Sequence, residues 1–431
     1  MQGDVHESDV IVVGGGLSGL TAAAYLGRAG LSVRVLERAG ELGGRAATRC
    51  EDGFFLNRGA HALYRASDAT AILSELGVAH HGRPVPSSGK ALRNGQLFKL
   101  PTGSLSLFTT GLLSLRAKAI AARWLDRTPR LAPHTVEDLT VAEWLEDCPP
   151  EVRAVMEAFI RVATFINAPR DFSAGTALMQ LQRALAGVLY VDGGWKTLVD
   201  GIAECGTKWG ARITSGARAV RLEPNGDGHT VTLADGSALS ARAVVLALPP
   251  ADAAALIATT GVAAPKAFID RTLGRVATLD LALSRLPRPE ERFVLGIDAP
   301  LYLSVHSAIA KVAPEGKAVV HVMKYLPPEE TDADADRAEL ETLLDLAQPG
   351  WRSAVVHAQY LPKITVVERV DVAKEGGVRG RPGVEVPGLP GILVAGDWVR
   401  GGAWLADASL GSARDAARAI VARLAPARAV A

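Results

Sequence analysis

"DVIVVGGGLSGLTAAAYLGRAGLSVRVLER" occupies residues 9–38. Val10–Val13 is a strand-length apolar run, and Gly14–Gly16 is a turn. Leu17 to Ala29 has helical spacing, with small residues at Ala22, Ala23 and Ala24. Gly30 stops that helix as a C-terminal cap does. "SVRVLE" then alternates into a second strand. The unit is strand, glycine turn, helix, strand, which is the setting a nucleotide-binding glycine motif requires. Gly14, Gly16 and Gly19 supply G-x-G-x-x-G: Gly14 for the tight turn, Gly16 for approach of a pyrophosphate, Gly19 for close helix packing. Leu17 and Ser18 open the helix, whose free amides and positive dipole end suit phosphates. Glu37 closes the second strand, about 20 residues beyond the turn, where a carboxylate accepts from ribose hydroxyls and repels a 2′-phosphate. Arg38 follows it. At this point the nucleotide is either a nicotinamide that exchanges or a flavin that stays.

The next segment, "LERAGELGGRAATR", bears on that choice. Gly43 and Gly44 bring a second backbone segment close to the ligand, and Arg45 offers charge to phosphates. A plain dinucleotide fold has no use for this pair. Far downstream, "ILVAGDW" is a strand ending in Gly396-Asp397, followed by a helix starting near Leu405. Its positive end suits a ring that gains negative charge on reduction. An isoalloxazine is such a ring; a nicotinamide becomes neutral.

The chain has 431 residues, 48% of them hydrophobic, enough for more than one domain. Lys and Arg number 47 and Asp and Glu 46, so the net charge of +1 indicates no nucleic-acid partner. The polar start "MQGDVHESD" lacks the features of a signal peptide. No apolar run approaches the roughly 20 residues of a membrane span, though peripheral membrane contact needs none. Cys50, Cys148 and Cys205 form no C-x-x-C pair, so neither a redox dithiol nor a metal site is indicated, and a cytoplasmic setting is expected.

Residues 68–190 read as a mostly helical insertion. Residues 192–250 return to a helix and several strands, and 265–375 mix strands with the acidic helix "DADADRAELETLLDLA". Nucleotide-domain character thus appears at the start, middle and end of the chain, separated by two insertions.

Together, "VVGGGLSGLTAA…VLERAGELGGR", "GGWKTLV", "ARAVRLEPNGDGHTV", "AVVLALPP" and "VAGDWVRGGAWLADASLGSARDAA" resemble the FAD-dependent amine oxidase, phytoene desaturase and protoporphyrinogen oxidase superfamily. The resemblance implies an α/β fold: a Rossmann-type FAD-binding domain in three segments, 1–67, 191–262 and 385–431, with an inserted α+β substrate or lid domain, 68–190 and 263–384. It implies non-covalent FAD. Gly14, Gly16 and Gly19 match the pyrophosphate turn, Glu37 the ribose ligand, and Gly44 and Arg45 the Gly-Gly-Arg beside diphosphate and flavin. Val220 matches the backbone position at the adenine. Gly59 and Ala60, in "NRGAHAL", match the segment beside the flavin ring. Gly396 and Asp397 match the ribityl–phosphate contact, and Leu405 and Ala406 the helix start under the pyrimidine edge.

Departures from the family pattern touch the substrate. Leu405, preceded by Trp404, stands where amine oxidases of this group often keep a cage aromatic. "VATLDLALS" has no lysine to hold a water at the flavin. No late cysteine offers a covalent anchor, and no second G-x-G-x-x-G offers a built-in NAD(P)H site. The expected activity is an FAD-dependent dehydrogenase, desaturase or oxidase acting on a largely apolar small molecule. Electrons would pass to oxygen, a quinone or an external carrier. An amine or amino-acid oxidase, a redox-neutral isomerase using reduced FAD, and a non-catalytic FAD-binding subunit are the alternatives. His61 and Trp404 are the candidate catalytic side chains; Tyr190 and Lys363 read as packing and surface residues. His306, His321 and His357 show no metal spacing.

Overall fold

The structure, a computed structural model, describes residues 7–402 and 404–424; the ends of the outer segments expected for the FAD-binding domain lie outside the described residues. The opening unit forms as its pattern dictates: strand Ser8–Val13, helix Leu17–Arg28, strand Val33–Glu37. Around it lies a sheet of seven strands. Ser8–Val13 pairs in parallel with Val33–Glu37 on one side and with Ala238–Leu246 on the other. Arg212–Ser215 extends the first side. The long strand Ala238–Leu246 serves two partners. Its first half pairs antiparallel with Gly228–Leu233, and its second half pairs parallel with Ile392–Val394.

This topology positions the site. Parallel strands put the residues after Val13, Glu37, Leu246 and Val394 at one edge of the sheet. Ligands of open α/β sheets bind at that carboxyl edge. The helices Leu17–Arg28 and Leu405–Leu424 cover one face of the sheet. Ala22, Ala23 and Leu26 meet Ala413, Ala416, Ala417 and Ile420 there, small side chains that let the two helices approach closely.

A second seven-stranded sheet runs in the order Val355–Val367, Gly274–Leu283, Ala318–Tyr325, Leu301–Val305, Phe293–Gly296, Lys90–Arg93 and Gln96–Lys99. Its last two strands come from the first insertion and the rest from the second, so both insertions build one body. The first insertion is therefore not simply helical. It contributes a hairpin, Lys90–Lys99, and then the helices Leu115–Arg127, Pro150–Thr164 and Ala174–Leu185. Their shared core includes Leu145, Val152, Met156, Phe172 and Leu181.

Packing also moves two domain limits. Helix Asp68–Glu75 buries Ala69, Ile72 and Leu73 against Leu20, Leu198, Ile202 and Leu410. Residues from 68 to about Val78 thus belong to the nucleotide layer, not to the insertion. Phe268, with Val262, Ala264 and Ala267, packs against Val386, Leu389 and Trp398 in that same layer, beyond the expected limit at 262. An amphipathic segment takes whichever core accepts its apolar face, which composition alone does not reveal.

Candidate active site

A cleft of about 730 Å³ runs along the carboxyl edge of the first sheet and continues under the second. Gly14, Gly16, Leu17 and Ser18 line one end. Gly14 has φ of +110°, and a Cβ there would sit 2.3 Å from the Ala247 carbonyl oxygen. Gly19 is behind the wall, where a Cβ would meet the Gly14 carbonyl oxygen at 1.8 Å. Both glycines are demanded by the protein itself. Gly16 is different: a Cβ there would touch nothing nearer than the Gly43 oxygen at 3.8 Å. Its bareness leaves room in the cleft rather than in the fold. Helix Leu17–Arg28 has no side-chain cap and no acidic residue in its first turn, so its free amides and dipole are available to an anion.

Glu37 is buried and accepts from the Gly15 N–H at 2.7 Å and the Ala39 N–H at 2.8 Å, bracing the turn while lining the cleft. Arg38 also lines it and donates to Asp252 at 3.1 Å. Val220 is the extra residue of a β-bulge: Ala219 pairs with Leu233 and Arg221 with Thr232, leaving Val220 between them. A bulge leaves its extra residue out of the ladder, and here that residue is in the cleft wall.

Gly43, Gly44 and Arg45 form a second lining segment. Gly43 is tied to the first turn by its N–H to the Gly15 oxygen, 2.9 Å. Arg45 donates to both Asp397 oxygens, at 2.5 and 3.0 Å, and to the Val366 carbonyl at 2.8 Å. Asp397 also accepts from the Glu368 N–H at 3.0 Å. Burial opposes the Asp397 charge, but Arg45 and these hydrogen bonds hold its pKa below the ordinary carboxylate range. Both oxygens of Asp397 are thus committed, and its place is beneath Arg45. Gly396 is fixed by Ser412, whose hydroxyl accepts from its N–H and donates to its carbonyl, both at 3.0 Å.

Gly59 and Ala60 form the floor where the two sheets meet. The Gly59 N–H donates to the buried carboxylate of Asp280 at 3.0 Å. Asp280 also takes Thr278 Oγ1 at 2.8 Å and His321 Nδ1 at 2.7 Å. His306 lies edge-on to His321, 4.4 Å between ring centres, and stacks on Tyr190 at 3.7 Å. Histidines scattered in sequence thus form a buried polar cluster behind the floor. Among the described residues no group of His, Cys, Asp and Glu is arranged to hold a metal. Leu405 and Ala406 complete the opposite wall at the start of the last helix.

The two candidate catalytic side chains fare differently. His61 lines the cleft, but Nδ1 is 3.0 Å from the Gly59 carbonyl and Nε2 3.2 Å from the Arg45 carbonyl. Each ring nitrogen faces a backbone oxygen, and a neutral ring, with a single N–H, donates to one of the two at a time, so His61 is placed between the two lining segments. Burial pushes its pKa down. Trp404 is not in the wall. It is buried in the core of the helical insertion, tilted on Phe172, with Nε1 donating to the Thr164 carbonyl at 2.9 Å. Tyr190 is buried behind the floor, and Lys363 pairs with Glu330 on the surface.

Residues not singled out from sequence line the far end: Tyr64, Phe165, Trp195, Val276, Met323 and Ile364. Phe165 comes from the first insertion and Val276, Met323 and Ile364 from the second, while Tyr64 and Trp195, the latter in "GGWKTLV", belong to the segments expected for the FAD-binding domain. Phe165 has φ of +62° and Leu405 φ of +52°. Bulky residues rarely adopt this conformation, and such strain gathers at functional sites. Here both strained side chains face one cleft. Charge is distributed unevenly along the walls. Each of five lining carboxylates is engaged: Glu37 by backbone amides, Asp252 by Arg38, Asp397 by Arg45, Glu368 by Arg271 at 3.9 Å and Asp407 by Arg183 at 3.2 Å. Arg58 and Arg218 also line the cleft and join no ion pair among the described residues. The free charge of the cleft is positive.

A bare glycine turn, a helix N-terminus, a ribose-side carboxylate and unpaired arginines suit a long anionic dinucleotide. The pattern of the family described as flavin containing amine oxidoreductase matches residues 17–421. The chain belongs to that family. It is an FAD-dependent oxidoreductase, and FAD is its cofactor. None of its three cysteines lines the cleft. A stretch of 277 residues is 29% identical to "Putative flavin-containing monoamine oxidase AofH" of Mycobacterium tuberculosis, covering 58% of this chain and 58% of that one. Another, of 113 residues, is 35% identical to protoporphyrinogen oxidase 2 of Arabidopsis thaliana, covering 25% of this chain and 22% of the plant protein. The chain therefore matches little more than half the length of the mycobacterial relative and under a quarter of the plant one. An oxidoreductase from Methanosarcina mazei shares the fold with a TM-score of 0.74 at 20% identity, over 94% of this chain and 98% of that one.

Proposed function

We propose that this flavin containing amine oxidoreductase removes a hydride from a carbon of a largely apolar small molecule, leaving a C=C or C=N bond. One observation carries the reading: the far end of the cleft is walled by Tyr64, Phe165, Val276, Met323 and Ile364, while all five lining carboxylates already have partners. A cationic substrate would find no free carboxylate there, and an apolar one finds matching surface.

Bound FAD supplies a ring that accepts the hydride; the chain supplies binding, orientation and exclusion of water. In this reading the amides of Gly16, Leu17 and Ser18 face the pyrophosphate, and Glu37 accepts from the adenosine ribose. The bulged backbone at Val220 would hold the adenine. Arg45, steadied by Asp397, supplies fixed positive charge between Gly44 and Gly396. Gly59 and Ala60 would line the ring of bound FAD, and the amide end of the helix at Leu405 and Ala406 would favour negative charge there. No side chain is assigned as a proton-taking base. Oxygen, a quinone or an external carrier receives the electrons.

The second reading, an amine oxidase, draws on the name of the mycobacterial relative. Leu405 in place of a cage aromatic and the engaged carboxylates favour the first. Anaerobic mixing of the yellow protein with polyenes, porphyrinogens and amines separates them. Loss of the flavin band with a polyene or porphyrinogen supports the proposal, and loss with amines alone replaces it by the second reading. Isomerisation of a polyene by dithionite-reduced protein, without bleaching, assigns a redox-neutral activity instead. A preparation that takes up no FAD refutes all of these.

A further inference from the structure

From Leu76 to Leu125 the chain contains seven Lys or Arg residues and no Asp or Glu, although its overall charge is only +1. Near the end of that stretch lie the most exposed large apolar side chains of the described residues. Leu105 and Phe108, on helix Ser104–Thr109, are 73% and 78% exposed, and Leu115, at the start of helix Leu115–Arg127, is 83% exposed. Leu107, Leu112 and Leu113 from the same segment are buried in the insertion's core, so the segment is anchored and its outward side chains are held out.

Cations are built into this tip. Lys118 donates from Nζ to the Phe108 carbonyl at 2.9 Å, and Lys99 donates to Thr109 Oγ1 at 3.1 Å. The first contact brings the first turn of helix Leu115–Arg127 against Phe108, so Leu115 and Phe108 share one patch. Arg116 and Arg123 are exposed on the same helix. None of Lys99, Arg116, Lys118 or Arg123 forms an ion pair among the described residues. Glu151 reaches this segment but is engaged by the Ser114 N–H at 3.0 Å and hydroxyl at 2.6 Å.

We infer that this tip seats the enzyme on an anionic lipid surface, with Leu105, Phe108 and Leu115 entering the interface and the four cations meeting headgroups. Protruding apolar side chains ringed by free Lys and Arg are the pattern of interfacial insertion. A nucleic acid would use the charges and leave three apolar side chains in water. A second copy of this chain would set cation against cation. Each cation near an anionic surface strengthens binding on the order of fivefold, and the apolar side chains add a part that salt does not screen. Among the described residues no helix is long and apolar enough to cross a membrane, so the contact is peripheral. It would also let an apolar substrate reach the cleft from lipid, a consequence that rests on the proposed function; the lipid contact itself does not.

Co-sedimentation of the FAD-loaded protein with phosphatidylcholine vesicles, with and without phosphatidylglycerol, tests it. The protein should pellet with the anionic vesicles and weaken, without vanishing, as salt rises. Leu105→Ser/Phe108→Ser/Leu115→Ser should bind at least about tenfold more weakly while staying yellow and monodisperse. Arg116→Glu/Arg123→Glu, at two exposed positions, should lose the preference for phosphatidylglycerol. Failure of the parent protein to pellet overturns the proposal, as does unchanged binding by both variants. A parent dimer that the triple variant converts to monomer assigns the patch to a second copy instead. Binding to a DNA duplex but not to vesicles assigns it to nucleic acid.

Discussion

Arg45 and Asp397, 352 positions apart, meet in a two-pronged ion pair at the cleft, with both carboxylate oxygens within 3.0 Å of the guanidinium. The partners are unequally placed: the Arg45 side chain is 43% exposed toward the cleft and Asp397 3%. Truncating one partner strands the other. Arg45→Ala leaves a buried carboxylate beside the Glu368 amide, and a loss of about 3 kcal/mol is expected. Asp397→Ala leaves a guanidinium that water reaches, and about 1 kcal/mol is expected. Urea unfolding of the apoprotein reads the order; equal losses, or the reverse, would show that the pair is not the buried support described.

Gly16 and Gly19 look alike in the motif but answer to different demands. Gly19→Ala drives a Cβ into the Gly14 carbonyl, so the variant should be insoluble or lose several kcal/mol. Gly16→Ala has open space around the new methyl, so the apoprotein should melt within a few degrees of the parent yet bind FAD at least about tenfold more weakly, because the methyl takes ligand space. Flavin retention after gel filtration, beside apoprotein melting curves, separates the two. A Gly16→Ala variant that holds FAD as the parent does would remove the glycine turn from the binding site.

The local signals that the sequence carries are those set by backbone conformation. A turn needing Gly14 at positive φ, a strand ending at Glu37, and Gly396 after an apolar run each leave a mark in neighbouring residues. Convergence of the wall does not. Tyr64, Phe165 and Met323 lie in three separate segments, one before the first insertion and one in each insertion, and meet only through tertiary packing. Residues 68–190 do carry one strand signal amid their helical spacing: Asn94-Gly95, both at positive φ, turns the hairpin Lys90–Lys99. Strand Val355–Val367 is an edge strand with many exposed residues, so its alternation is weak. Trp404 sits one residue from the helix start in sequence, yet the insertion's core claims its ring.

His306 gives the protein a pH-dependent stability. Its ring is buried between Tyr190 and His321, and burial first, then the neighbouring His321 and His61, pushes its pKa well below 6.5. The unfolded chain takes up a proton below about pH 6.5 that the folded ring refuses. This contribution is therefore complete above that pH and is lost as pH falls, by up to about 1.4 kcal/mol per pH unit. His61, also lowered by burial, acts in the same direction. Melting temperature should fall from pH 7.5 to pH 5.5, and His306→Gln should flatten the slope while lowering stability at pH 7.5. An unchanged slope would mean that His306 is protonated in the fold.

Phe165 is held at φ of +62° where helix Pro150–Thr164 ends, with its ring against Tyr325 and the cleft. Strain and function make opposite demands on this position. Phe165→Ala removes the ring and keeps a Cβ in the left-handed region; Phe165→Gly removes both. The glycine variant should be the more stable of the two by about 1 kcal/mol, the reverse of the usual order, because the left-handed penalty exceeds the entropy glycine adds to the unfolded chain. Both should bleach the flavin with an apolar substrate more slowly than the parent, and to a similar extent, since both lose the same wall. If alanine proves the more stable, the left-handed conformation at Phe165 is refuted. If both variants turn over an apolar substrate at the parental rate, the far end of the cleft is not where that substrate binds.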